Sequence, residues 1–403
     1  MIMTIGSSTT SVVTSPSPRF TDLDGNGKID IEVDFDGPQG QHFSSLGNIG
    51  YQGLNAVQQY ELRFQMNKVS NDVNLVFHRK GEIDNPDGKI KFGTFQQNTS
   101  HTNDVVVRAP SDSSEPVEVY FNGNETEDPS IAEPDGFNKG GHTLTRALLY
   151  GLGVTPPKPE EEGGTRDSLG YSALSLKPET KTGHDFKGAT VTSAQIDDQE
   201  QLESLYGRNA GAKPPYEINQ LGNEGYGATT SISSGPGLST HETIDASGDT
   251  NNQTIDMRPG SFSSVKGYKK NVSITSTTVV EDVKVGSGNN IITPNAVSNQ
   301  ITLGAGNNTV VYHNLWDSSP DRPDTIIGFK TGKDKLDLSQ LPPRAGQDPN
   351  DHSNGIGVSF TEDGTYVARS RIIGPEGTHE GPWDFRVRVD GLQPSDIITW
   401  NAD

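Results

Sequence analysis

The sequence predicts an α+β N-terminal domain followed by an all-β C-terminal domain built as a parallel β-roll or β-sandwich. Three observations carry this. Only 30% of the 403 residues are hydrophobic, while 46 are Gly and 25 are Pro, a turn-rich balance that favours sheets and argues against a helical bundle. Helical spacing recurs at residues 52–67, 144–152 and 196–209, among short strand-like runs. Residues 285–311 then carry a nine-residue period, the mark of a repetitive β-architecture. The length suffices for two or three domains with real cores.

Composition also limits function. A formal charge of -21 removes nucleic acid as a partner, because phosphate requires a basic surface. Asp-rich turns on such a chain are candidate calcium sites. There is no cysteine, hence no disulfide and no thiolate chemistry. No apolar run approaches the roughly 20 residues of a membrane helix. The first 20 residues, MIMTIGSSTTSVVTSPSPRF, have neither the basic nor the apolar region of a secretory leader. Taken alone they point to the cytoplasm.

In chain order, residues 1–20 are Ser/Thr/Pro-rich and are expected to be disordered or extended. Asp22, Asp24, Asn26 and Asp30 then fall on the oxygen-ligand positions of an EF-hand-type loop, with Gly27 at the turn. The bidentate glutamate of such a loop is replaced by Val33. Two readings stand: a calcium loop, or a solvated Asn-Gly turn into a strand over 29–35. Leu54, Val57, Tyr60 and Phe64 give the 52–67 helix its apolar spacing, and strands are expected at 74–77 and 89–92.

The most informative stretch is Gly141–Pro157, GHTLTRALLYGLGVTPP. The metzincin signature H-E-x-x-H-x-x-G-x-x-H aligns its glycine with Gly153. Its three histidines fall on Arg146, Tyr150 and Pro156, and its general-base glutamate on Ala147. The flanking residues resemble the TLTHEIGHALGL run of serralysins, a family of secreted bacterial metalloproteases. Tyr171–Leu176 stands where that family has its Met-turn, with Leu174 for the methionine and Leu176 for the zinc-assisting tyrosine. Ile196–Asn209 is similar to the helix that closes the family's protease domain, with Gly207 as its C-cap. The resemblance implies an extended N-terminus (1–20), a metzincin-like domain (21–209), a linker (210–216) and a β-roll domain with a C-terminal secretion signal (217–403).

In the roll, the turns begin at Val285, Pro294 and Leu303. Asn290, Asn299 and Asn308 occupy the sixth position, which in G-G-x-G-x-D-x-U-x faces the ion, and Ile292, Ile301 and Val310 the core position. Asn keeps an oxygen but not the charge, so calcium binding is expected to be reduced, and amide ladders between turns could replace it. Residues 324–339 are similar to the family run after the roll, and Asp396-Ile397-Ile398 to its uncleaved type I secretion signal, although five residues follow.

No zinc chemistry survives on this reading. No two of the nine histidines are spaced i, i+4, and Arg146 is permanently cationic. His142 is expected at the surface or as a cap. A rebuilt nucleophile from Ser172 or Ser175 with His184 and Asp185 has no support in spacing. The chain is identified as a serralysin-like pseudoprotease with no catalytic residues and no zinc, calcium reduced, exported by the type I machinery. It would bind an unidentified protein as an effector or decoy. The alternative is a structural or adhesive β-roll protein whose first domain is only scaffold.

Overall fold

The structure is a computed structural model. It describes residues 12–13, 19–36, 50–96, 105–108, 110, 115–123, 128–158, 166–209, 216–217, 219, 221, 227–233, 242–341, 356–361, 364–373 and 379–398. The chain forms two units: residues 1–211 with 222–237, and residues 212–221 with 238–403.

In the first unit the strands are β1 (Val12–Val13), β2 (Ile29–Asp34), β3 (Gly50–Gln52), β4 (Leu75–Arg79), β5 (Gly88–Gln96), β6 (Val105–Arg108) and β7 (Val117–Asn122). They make one mixed sheet in the order β1-β6-β7-β5-β2-β4, with β3 antiparallel to the end of β5. Alternation in β2 places Ile29, Ile31 and Val33 in the core. Helices α1 (Ala56–Asp72) and α2 (Lys139–Gly151) pack on the sheet and on each other, and α3 (Ile196–Tyr206) follows.

Two expectations are corrected here. Helix α1 starts after Asn55, which caps it through a reciprocal pair with Gln58, and runs on to Asp72. Its buried face is Gln58, Glu61, Leu62, Gln65, Met66 and Val69, while Val57 and Tyr60 are exposed. The phase differs because its buried polar groups are satisfied: Gln58 donates to Ile131 O, and Gln65 donates to Glu61 and accepts from Thr145. The strands expected at 74–77 and 89–92 extend to Arg79 and Gln96. The second correction concerns residues 222–237, placed by sequence in the roll domain. Strand β9 (Thr230–Ile232) and its flanks belong to the first unit, where Ser193 and Gln195 bond Thr229 and Ser233 bonds Glu203.

The second unit contains β8 (Tyr216–Glu217), β10 (Thr243–Ala246), β11 (Thr254–Asp256), a hairpin of β12 (Phe262–Ser263) and β13 (Val272–Ile274), β14 (Asp282–Val285), β15 (Ile291–Thr293), β16 (Gln300–Thr302), β17 (Thr309–Val311), β18 (Asp324–Ile327) and β19 (Lys335–Asp337). These are followed by β20 (Ile356–Thr361), β21 (Gly364–Ile373), β22 (His379–Val389) and β23 (Ile397–Ile398). Successive strands alternate between two sheets: β20-β21-β22-β18-β16-β14-β10-β8, parallel from β8 to β22, and the all-parallel β11-β15-β17-β19-β23. This is a parallel β-roll. In-register core residues stack as Ile244, Val283, Ile301 and Ile326 in one sheet, and as Ile255, Ile292, Val310 and Leu336 in the other. All eight are buried, and that column of aliphatic side chains is the roll's main source of stability.

Candidate functional site

Helix α2 is buried on every face from Gly140 to Gly151. Asn138 caps it by accepting from Gly141 N, and Gly153, at φ 79°, turns the chain at its end. Four residues of this helix line the site. Ala147 packs wholly in the core and Tyr150 is buried. Arg146 is 2% exposed. Its guanidinium donates to the carbonyls of Leu174 (3.1 Å) and Ala173 (3.4 Å), reaches the Tyr150 hydroxyl at 3.5 Å, and lies 5.6 Å from that ring's centroid. His142, expected at the surface, is instead buried, with Nδ1 on the Val191 carbonyl. A carbonyl only accepts, so Nδ1 carries the proton.

On the far side of the 172–175 loop stands Asp198 of α3, a residue whose role the sequence did not single out. It accepts from Ser172 Oγ (2.6 Å), Ala173 N (2.7 Å) and Gln195 N (3.0 Å). The peptide between Ala173 O and the flanking amides is therefore held between a buried cation and a buried carboxylate. Burial pushes Asp198 up to about 6 against the pull of these bonds and of Arg146. Burial, then the Arg146 charge, lowers His142 to about 4.

These two shifts oppose each other. A carboxyl raised from 3.8 stabilises the fold below 3.8 and loses that contribution as pH rises through about 6. A histidine lowered from 6.5 stabilises the fold above 6.5 and loses it as pH falls through about 4. Between those limits the wild type is expected to vary little from this pair. His142→Gln removes the histidine's contribution, so its stability relative to wild type should improve by about 3 kcal/mol from pH 6.5 to pH 4. Urea titrations of both proteins across that range check this, and a pH-independent difference would refute it.

Of the remaining sequence-selected residues, Leu174 and Ser172 join this cluster through a carbonyl and a hydroxyl, and the others do not. Pro156 and Leu176 are exposed. Leu174 is buried, filling the floor position of the loop. Ser172 is spent on Asp198, and Ser175 on Asp167. His184 Nδ1 pairs with Thr182, and Asp185 accepts from Lys187 N, so no nucleophile–base pair forms. Among the described residues no group of three His, Cys, Asp or Glu converges for a metal. A zinc ion does not fit the side chains present: the first ligand position holds a guanidinium bonded to carbonyls, the second a buried tyrosine, and the third an exposed proline.

In the 22–30 loop, Asp22 accepts from Gly25 N and Gly27 N, which holds its carboxyl below the usual range chiefly through Gly27. Asp24 accepts from Asn26, and Asn26 also reaches Asp30, whose other oxygen meets His78 Nε2 at 2.6 Å. Val33 lies in the core of β2, away from the loop.

In the roll, the sixth-position amides form ladders. Gln253 N donates to Asn290 Oδ1, Asn290 Nδ2 to Asn308 Oδ1 (2.8 Å), and both Asn308 N and Nδ2 to Asp334 Oδ1 (2.9 Å). On the other sheet Glu242 N donates to Glu281, and Asn299 N to Asp324, which also accepts from Tyr312. Asn290, Asn299, Asn308, Asp324 and Asp334 are all buried. Burial lifts the Asp324 carboxyl well above its usual range. At the turn edge Lys330 Nζ sits on Gly304 O (2.7 Å) and Lys333 Nζ on Ala305 O (3.1 Å). The sequence showed the three asparagines, but it missed Gln253, Asp324 and Asp334 because the insertions between coils break the nine-residue spacing.

Asp396, Ile397 and Ile398 form the roll's last coil. Ile397 pairs with Leu336, and Asp396 is buried, accepting from Thr331 Oγ1, Gly332 N and Gln393 N. No helix among the described residues is long and apolar enough to cross a membrane.

The chain thus joins a mixed α/β unit, with this helix and loop in it, to a parallel β-roll. Residues 231–352 match the family model for the C-terminal region of M10 serralysin peptidases. The chain is 36% identical to Serralysin A of Dickeya chrysanthemi over 243 residues, covering 53% of this chain and 52% of that one. It is 29% identical to Metallopeptidase AprA of Pseudomonas marginalis over 371 residues, 81% of this chain and 76% of the other. In the Serralysin A alignment the chain thus spans about half the relative's length. A subunit of the Azotobacter vinelandii mannuronan C5-epimerase matches at 17% identity and a TM-score of 0.23, covering 40% of this chain and 81% of that one. That score is too low to bear on the fold. The chain is thus similar to serralysins and related metallopeptidases, and its residues 231–352 to their C-terminal region.

Proposed function

We propose that this protein is a secreted, zinc-less serralysin homologue that acts by binding a protein partner, as an effector or as a decoy. The observation that carries this is Arg146, a permanent cation bonded to the Ala173 and Leu174 carbonyls in the first ligand position. With Ala147 in the general-base position, neither water activation nor proton transfer has a residue to perform it. Export by a type I route is supported by the Asp396-Ile397-Ile398 resemblance. Metal analysis of the purified chain together with a casein assay tests the reading. No stoichiometric zinc and no turnover are expected; zinc with turnover would sink it.

The ladders support a roll that holds together without calcium. Chelation with EDTA is expected to move the melting temperature by less than about 2 °C, since no net charge is left for the ion to relieve at Asn290 and Asn308. Asn308→Asp should reverse this. It sets a carboxylate against Asp334 and should cost about 1–3 kcal/mol in EDTA. Added calcium should recover part of that loss.

A further inference from the structure

We infer that the tip of the β12–β13 hairpin is a docking surface for a short acidic segment of a protein partner. Lys266, Lys269 and Lys270 lie within five residues of one another around Tyr268, on a chain of formal charge -21. Several cations elsewhere in the protein are paired, Lys80 with Asp34, Arg108 with Glu118, Arg166 with Asp197 and Arg258 with Asp256, and others sit on carbonyls, as Arg146, Lys330 and Lys333 do. Among the described residues the three hairpin lysines make no ion pair. In a molecule with so many more acids than bases, three clustered unpaired cations are a distinct local field.

The backbone gives a second, independent sign. Lys266 (φ 57°) and Lys270 (φ 55°) both adopt the left-handed conformation, and only two other non-glycine described residues do. Glycine would fill both places at less conformational cost. The turn is held firmly: Asp249 accepts from Lys266 N, Ser264 Oγ from Lys270 N, and Asn271 Oδ1 from Val265 N. Asp249, buried beneath the turn, sets one negative charge against these three positive ones, so the tip keeps a net positive charge. Strain kept at two lysines on a fixed turn is what a recognition site accepts in exchange for placing its charges.

The size of the patch selects the partner. It is one hairpin tip wide, and at physiological salt its field reaches only about 8 Å. An extended polyanion or an anionic bilayer would lay much of its charge against the acidic surface beyond. A short run of Glu or Asp would not. Lysine's compact ammonium also suits single carboxylates rather than bidentate phosphate recognition.

The test is an anisotropy titration of fluorescein-labelled hexaglutamate with the full chain, beside hexaglutamine and phosphatidylglycerol vesicles. Saturable binding of hexaglutamate alone is expected. It should weaken at least tenfold in Lys266→Gln/Lys269→Gln/Lys270→Gln and several-fold in Lys266→Gly/Lys270→Gly. The glycine variant should melt no lower than wild type, which separates lost recognition from lost folding. No saturable peptide binding, equal binding by the glutamine variant, or lysine-dependent binding to vesicles but not peptide would each overturn the proposal. It does not depend on the loss of metal chemistry in the first unit, whose zinc and casein measurements succeed or fail separately.

Discussion

Gly304→Ala is expected to abolish cooperative folding of the roll instead of weakening it by a small increment. A Cβ at Gly304 would overlap the Gly286 carbonyl, with Val285 O only 2.9 Å away; at Gly286 it would overlap the Asp249 carbonyl. These neighbours are backbone atoms of the preceding coil and cannot rotate aside. To admit a methyl group, one coil must lift from the next, and lifting costs the parallel pairing of β16 with β14 and β18 as well as the Ile301 contact with Val283 and Ile326. A loss above about 4 kcal/mol is expected, a large share of the 5–15 kcal/mol that holds a typical domain. Gly260 supplies the control. It has a positive φ (77°), which Gly304 does not, and nothing within 4 Å of its Cβ, so Gly260→Ala should cost only about 1 kcal/mol. Denaturant unfolding of the two variants, followed by circular dichroism, separates them. Equal midpoints would mean that coil-to-coil contact at the glycines is not what limits the roll.

The same geometry explains which parts of this protein its sequence displays. The coils between Val285 and Val311 follow one another without insertion, so their glycines, amides and core aliphatics repeat at fixed spacing and can be read directly. The coils on either side have the same ladder and the same core column, but a hairpin at 262–274 and the 312–323 segment, with its short turn at Leu315–Ser318, separate their strands from the regular coils. Without the period, Gln253, Asp324 and Asp334 look like ordinary polar residues. Helix α2 was legible for a different reason: Leu144, Leu148, Leu149 and Leu152 pack into the core, and few alternatives suit so apolar a run. Helix α1 misled because its interior face is held by Gln58, Glu61 and Gln65, whose burial becomes affordable only through partners distant in sequence. His142 and Asp198 were opaque on the same ground, since a buried titratable group is defined by its partners, not its neighbours in the chain.

Both units place protein-borne donors where the family resemblance puts metal ions. In the roll, Asn290 and Asn308 bond each other directly, and Lys330 and Lys333 take the turn carbonyls. In the first unit Arg146 takes the loop carbonyls. A tethered donor differs from a bound ion in that no free-ligand concentration enters the stability. Chelators should therefore leave both units intact, whereas point changes at these donors should not.

Arg146→Ala is accordingly expected to destabilise the first unit by about 3–5 kcal/mol, the range for removing one partner from a buried charge arrangement. Three losses combine. The Ala173 and Leu174 carbonyls lose a donor in a site closed to water; Tyr150 loses the cation at its ring and hydroxyl; and the void left by the side chain is lined by groups already fixed in the core. Asp198 adds a pH signature. Arg146 favours its ionised form, so without the guanidinium its folded-state pKa should climb further above about 6. The variant's deficit should then be smaller below pH 5, where Asp198 is protonated in both proteins, and should grow as pH rises through and beyond about 6. Arg146→Met keeps much of the volume and should recover the packing part of the loss but not the pH dependence. Arg146→His, although it restores a histidine at the first ligand position, should behave like the alanine variant and take up no zinc, because Tyr150 and Pro156 still stand at the other two. Urea unfolding of the three variants at pH 5 and pH 8, with zinc analysis of the histidine form, decides the matter. A deficit under about 1 kcal/mol at both pH values would show that the guanidinium fills the site without holding it together.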